Sequence, residues 1–194
     1  MADHGRQDKC FVYSNAEELG SDLVNAKSFS KKMAVMKRII ANATMGNDMS
    51  ALCTSVAECM SIQDIMMKKM VYLFLSNYGV KKKEALAAYI DLFTQDARSQ
   101  DAVTRASALR TMSSLLTDEM ARALIDPMRS SLYDKKPYVR KTAAMCVARV
   151  YTYDPPLMEK SGFIEKLFGM MYDTSTDVVV SAVAALYHMA ESRS

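Results

Sequence analysis

Five segments of the chain repeat one another at nearly constant spacing, and that repetition limits the fold more than any other feature of the sequence. KKMAVMKRIIA at 31, KKMVYLFLSNY at 68, RASALRTMSSL at 105, RKTAAMCVARV at 140 and VVSAVAALYHM at 179 begin 37, 37, 35 and 39 residues apart. Three positions into the frame stand Ala34, Val71, Ala108, Ala143 and Ala182, and a helix-long apolar stripe follows each. A small or short side chain returning at one place on successive helices suits helices that stack closely there. The frame opens on a basic residue four times, at Lys31, Lys68, Arg105 and Arg140, and on Val179 the fifth time. Arg105 and Arg140 are expected to be structural: their stems pack while their head groups satisfy carbonyls and acids of the adjacent repeat, and Ala108 and Ala143 fill the seam between helices.

A period near 40 is too long for one helix and suits two. Apolar residues at a 3.6-residue period predict about ten helices, over 16–24, 30–45, 49–60, 64–78, 80–93, 101–116, 118–132, 137–153, 156–172 and 176–191. Only 6 Gly and 4 Pro interrupt 194 residues of which 50% are hydrophobic, which favours long helices over a turn-rich sheet protein. The expected class is therefore all-α, an α-solenoid of about five HEAT/armadillo-like two-helix repeats over 16–194, preceded by a polar N-terminal tail over 1–15. The 17 methionines recur at helical spacing and are expected mainly as adaptable core filler.

Chemistry is hard to place on such a frame. The four cysteines, Cys10, Cys53, Cys59 and Cys146, form no CxxC, and the two histidines, His4 and His188, stand at opposite ends, so no structural zinc site can be written. Motifs for dinucleotides, nucleoside phosphates, activated serine, catalytic zinc and calcium are all missing, and no nucleophile has a base near it in sequence. The expectation is a protein that is not an enzyme and needs no cofactor. No apolar run is long enough for a signal peptide or a membrane span, and unpaired cysteines suit a reducing compartment, so the chain is expected in the cytoplasm. Asn42-Ala-Thr matches a glycosylation acceptor, a mark with no meaning there.

Charge is unevenly laid out behind a formal net of +3. Residues 23–47 carry +5, from Lys27, Lys31, Lys32, Lys37 and Arg38 with no acid, and residues 61–83 carry +4, with Lys81, Lys82 and Lys83 adjacent. Such runs are usually solvated faces, but a basic front half also attracts anionic headgroups or nucleic acid. Without an accompanying nucleic-acid motif, the lipid surface is the stronger attraction and a nucleic-acid partner is not expected.

The stretch MKRIIANATMGNDMSALCTSVAECMSIQDIMMKKMVYLFLSNYG from Met36 to Gly79 resembles the N-terminal trunk of the β-type large subunits, the adaptins, of clathrin-associated adaptor complexes. RASALRTMSSL, PYVRKTAAMCVARVY from Pro137, GFIEKL at 162–167 and VVVSAVAALYHMAE at 178–191 continue the likeness in register, over about residues 16–191. The β subunits of the first, second and fourth adaptor types look closer than the third type or the coatomer. The resemblance implies a right-handed superhelical trunk that curves around the other subunits of a heterotetramer in vesicle-mediated protein transport. It implies contact with an Arf-type small GTPase and with phosphoinositide headgroups, the latter through Lys27, Lys31, Lys32 and Lys37; Lys81, Lys82 and Lys83 depart from the family's milder segment and are expected to extend the basic patch as additional contacts. It places such a protein peripherally on Golgi, endosomal or plasma-membrane coats. A family trunk runs on for several hundred residues to a hinge that recruits clathrin, so this sequence reads as the N-terminal part of a trunk or a shortened relative, with clathrin reached only indirectly. A stack ending at Ser194 is expected to leave Val179, Val183 and Leu186 in an exposed apolar patch. The alternative is a generic HEAT-repeat binding scaffold unrelated to coats, because one repeat architecture serves many functions.

Overall fold

Side-chain caps set six of the twelve α-helix starts in the computed structural model of the chain, which describes residues 15–192. Asn15 accepts from the Glu17 N–H, Ser28 from Lys31, Asp64 from Met67, Asp101 from Thr104, Thr117 from Met120 and Asp154 from Leu157. Each such oxygen satisfies one of the amide donors that a helix leaves unpaired at its first turn. The helices so begun are α1 (Ala16–Asn25), α2 (Phe29–Thr44), α4 (Ile65–Tyr78), α7 (Ala102–Met112), α8 (Asp118–Ser131) and α10 (Pro155–Glu159). Between them lie α3 (Cys53–Glu58), α5 (Lys83–Leu86), α6 (Ile90–Asp96), α9 (Pro137–Tyr153), α11 (Phe163–Met170) and α12 (Thr176–Glu191). Regular structure among the described residues is helical throughout, and the chain is all-α. The expected tail falls outside the described residues up to position 14, and Asn15 already belongs to the cap of α1.

Three of the expected helices are broken. The 49–60 helix keeps only α3 as α-helix, with 3-10 turns at Ser50–Leu52 and Cys59–Ser61. Gly20 of α1 explains the close seat of the first turn, since a Cβ there would lie 2.9 Å from Leu52 Cδ2. The 80–93 helix becomes a 3-10 turn at Gly79–Lys82, then α5, a second 3-10 turn at Ala87–Tyr89, and α6. From Val80 to Tyr89 only Leu86 is buried, so no apolar stripe holds three adjacent lysines in one continuous helix. The 156–172 helix divides at Gly162, whose φ of +68° begins α11 from a left-handed conformation that glycine adopts freely.

The chain forms two compact units, divided after Leu86. In the first, α1 packs on α2, α3 on α4, and α2 on α4. Met36, Ile39, Val56, Met60, Met67, Val71 and Leu75 are fully buried there. In the second, the pairs α6–α7, α8–α9 and α11–α12 stack through α7 on α9 and α9 on α12. Leu109, Met112, Leu124, Met128, Val139, Val147, Val150 and Leu167 form its core. These stacked two-helix repeats are of the HEAT/armadillo-like kind. Methionine serves as filler: among the described residues 11 methionines are buried in the core.

The repeat frame needs one correction. Val71, Ala108, Ala143 and Ala182 are completely buried, but Ala34 is exposed and Val35 is buried in its stead. The first repeat therefore runs one residue later than its sequence suggests, and Lys32 rather than Lys31 corresponds to Lys68.

Candidate functional site

The acid-free segment surrounds the start of α2. Lys27 lies exposed in the α1–α2 connection, Lys31 and Lys37 are exposed on α2, and Lys32 is half-buried. Successive residues of a helix differ by about 100°, so Lys31 and Lys37 flank one exposed face while Lys32 stands about 140° from Lys37. The geometry brings Lys27, Lys31 and Lys37 toward solvent and turns Lys32 toward the rim of the packed side. Among the described residues these four lysines make no ion pair, whereas Arg38, beside them, lies 3.1 Å from Asp22. Within the described residues no carboxylate pairs with them.

The second lysine run is placed differently. Lys81 Nζ lies 2.9 Å from Asp48 Oδ2, tying the turn after α4 to the turn before α3. That hydrogen bond, with the Ser50 N–H and hydroxyl, lowers the Asp48 pKa to about 2. Lys82 is exposed, and Lys83 lies 3.9 Å from Glu84. Lys81 and Lys83 therefore meet carboxylates of the chain itself, unlike the α2 lysines.

Arg105 and Arg140 occupy equivalent places in successive repeats of the second unit. Arg105 donates through Nε and Nη2 to both oxygens of Asp134, at 2.8 and 2.9 Å, and through Nη1 to the carbonyls of Ser99 and Gln100. Arg140 repeats the arrangement on Asp173, at 2.8 and 2.7 Å, with Nη1 on the Asp134 carbonyl. Each aspartate also accepts the N–H two residues on, from Lys136 and Ser175. For Asp134, burial opposes ionisation, but the Arg105 guanidinium and the Lys136 N–H outweigh it and hold the pKa below its ordinary value. Asp173 is lowered chiefly by Arg140, whose own pKa it raises in turn. Lys68, buried, donates to the Met60 carbonyl. Asp101, though close to Arg105 in sequence, caps α7, and the carboxylate that meets Arg105 comes from the following repeat.

Among the described residues the three cysteines are buried thiols poorly suited to reaction. Burial raises the thiol pKa of Cys53 to about 11, and raises those of Cys59 and Cys146 above the ordinary value. Among the described residues no three His, Cys, Asp or Glu side chains gather to hold a metal. No helix there is long and apolar enough to cross a membrane. Asn42 is buried and donates to the Arg38 carbonyl, so the sequon is closed to an oligosaccharide.

Residues 14–194 match the family described as Adaptin N terminal region. The AP-1 complex subunit beta-1 of Homo sapiens is 39% identical over 175 residues, as is that of Mus musculus, covering 90% of this chain and 18% of the relative. The AP-2 complex subunit beta of Schizosaccharomyces pombe is 39% identical over 167 residues, covering 86% of this chain and 24% of the relative. The chain thus spans about a fifth of the length of these curated relatives. Two engineered proteins of known crystal structure share its fold at low identity. One has a TM-score of 0.72 at 16% identity, over 90% of this chain and 47% of its own. The other has 0.68 at 17%, over 91% and 80%. With its stacked helix pairs and a family match running from residue 14 through residue 194, this chain belongs to the adaptin family.

Proposed function

We propose that the chain acts as the N-terminal part of a β-type adaptor trunk in vesicle-mediated protein transport, binding the other subunits of a heterotetrameric complex from the cytoplasmic side of a membrane. The observation that carries this reading is the 39% identity to two different β subunits over nearly the whole chain. The exposed, unpaired Lys27, Lys31 and Lys37 support a peripheral contact with anionic headgroups, with Lys32 at its edge. An Arf-type small GTPase is the further partner that the family resemblance suggests, with clathrin reached only through other parts of a complex. Affinity capture of the tagged chain from its native cytosol, with the bound proteins identified by mass spectrometry, tests the reading. Small, medium and second large adaptor subunits are the expected companions. Recovery of other protein assemblies without any adaptor subunit would favour a HEAT-repeat scaffold unrelated to coats.

A further inference from the structure

Within the second unit, α7, α9 and α12 border a groove of about 270 Å³ lined by Arg110, Ser113, Lys141, Met145, Arg149 and Ser181. We propose that this groove binds an extended acidic peptide segment of a partner protein, with carboxylates toward its two ends and an apolar side chain between them. The inference goes beyond the membrane reading of α2, using a different unit and different cations.

Charge is the first reason. The unit's structural arginines, Arg105 and Arg140, are each matched by a two-pronged carboxylate. Those at the groove are not. Arg110 donates to the Tyr138 hydroxyl at 3.0 Å and Arg149 to the Ser114 hydroxyl at 3.0 Å, both neutral partners. Neither makes an ion pair among the described residues, and no carboxylate lines the groove. Lys141 does lie 2.9 Å from Asp177, but that aspartate side chain is 70% exposed, and a surface pair of this kind yields readily to a competing carboxylate. The groove therefore presents two guanidiniums and an exchangeable ammonium to an incoming anion.

Spacing separates a peptide from a small anion. Lys141, Met145 and Arg149 form an i, i+4, i+8 stripe on α9, and at 1.5 Å per residue its ends are about 12 Å apart. One phosphate group cannot bridge that distance. An extended chain advances about 3.3 Å per residue, so carboxylates three or four residues apart reach both ends. Met145, 39% exposed midway, offers an apolar contact to a residue between them.

Hydroxyl directions agree. Ser113 donates to the Arg110 carbonyl and Ser181 to the Asp177 carbonyl, so both hydroxyl protons are already used. What Ser181 has left to offer is an acceptor, which suits a peptide N–H and has nothing to give a phosphate oxygen. Guanidinium forks give carboxylates planar, charge-assisted contacts, and the serine adds a main-chain contact along the same line.

The test uses the full chain and a short fluorescein-labelled peptide in which glutamate pairs flank a central leucine, read by fluorescence anisotropy. Binding is expected at low ionic strength, weakening as salt rises. The same peptide with glutamine in place of glutamate is expected not to bind. Arg110→Gln with Arg149→Gln should weaken binding about tenfold or more, through loss of two charge-assisted contacts. Replacing Lys27, Lys31, Lys32 and Lys37 by Ser should leave it unchanged. A circular-dichroism spectrum and a thermal midpoint equal to wild type verify that the double variant folds. A shift of the Met145 methyl NMR signal on titration locates the peptide independently. Equal binding of the glutamine peptide, or undiminished binding by the double variant, would overturn the proposal. So would phosphoinositide vesicles proving the ligand whose capture depends on Arg110 and Arg149, or inorganic phosphate displacing the peptide at low millimolar concentration.

Discussion

Each of the two arginines that open a repeat frame, Arg105 and Arg140, spends both edges of its guanidinium on the fold, one on the carboxylate of the next repeat and one on main-chain carbonyls of the connection that precedes its own helix. Their side chains are only 17% and 15% exposed, so the pairs are far better screened from solvent than ordinary surface ion pairs. Changing Arg140 to Ala should leave the Asp173 carboxylate without its principal partner and cost about 2–3 kcal/mol, measured as a lowered urea midpoint at unchanged slope. Asp173 has a depressed folded pKa, so its contribution is fully present above the ordinary carboxylate value of about 4 and is lost as pH falls through the lower folded value. The stability gap between wild type and Asp173→Asn should therefore narrow as the medium is acidified below about pH 4; parallel pH profiles would show that the carboxylate's charge contributes nothing. Ala143 is fully buried in the stacked α9, and Ala143→Leu should overpack that seam by about 1–3 kcal/mol. A midpoint equal to or above wild type would rule that seam out.

At the scale of an element, α2 is where charge position becomes testable. Lys27, Lys31 and Lys37 are exposed with no acid in the segment, and each lysine held near an anionic bilayer contributes about 1 kcal/mol. Replacing Lys27, Lys31, Lys32 and Lys37 together by Ser should abolish most of the preference for phosphoinositide liposomes over neutral ones in a low-salt sedimentation assay, with the helical spectrum unchanged. Single replacement of Lys32, half-buried and facing away from Lys37, should matter least; equal sedimentation of wild type and the quadruple variant would mean a solvated face and nothing more. The segment's charge was legible because lysines and acids are simply counted, but the orientation of Lys32 was not. One residue of frame shift, visible only when Val35 and not Ala34 enters the core, moves every side chain of α2 by about 100°. Breaks within helices were equally hidden. Lys81–Lys83 and the alanines after them have good helix propensity, yet propensity without a buried stripe does not sustain a continuous helix.

For the whole molecule, the all-α class and the stacked repeats were legible because both rest on periods, 3.6 residues within a helix and about 37 between repeats, that survive small local errors. The partners of Arg105 and Arg140 were not, because Asp134 and Asp173 stand 29 and 33 residues away and only stacking brings them near. Nor did the groove between α7, α9 and α12 stand out, since Arg110 and Arg149 look like ordinary solvated positions until their lack of carboxylate partners is seen. Surface hydrophobicity of the second unit carries the last prediction. Phe168, Tyr172, Val180, Val183 and Tyr187 are 55%, 91%, 61%, 45% and 65% exposed, while Val179 and Leu186 are half-buried. Tyr151, Ile164, Phe168, Leu186, Met189 and Ala190 line an open pocket between α9, α11 and α12. Soluble monomers seldom leave so many large apolar side chains on two adjoining helices without covering them. The isolated chain should therefore self-associate as its concentration rises, seen as an increasing weight-average mass in sedimentation equilibrium, and Val183→Lys with Tyr187→Glu should return it to the monomer mass. The charged substitutions lie on exposed positions and should leave the thermal midpoint within about 0.5 kcal/mol equivalent of wild type, so loss of association cannot be ascribed to unfolding. A wild-type chain that remains monomeric at high concentration would show instead that α11 and α12 form a self-sufficient cap, and that these side chains are scattered surface apolars of the ordinary kind.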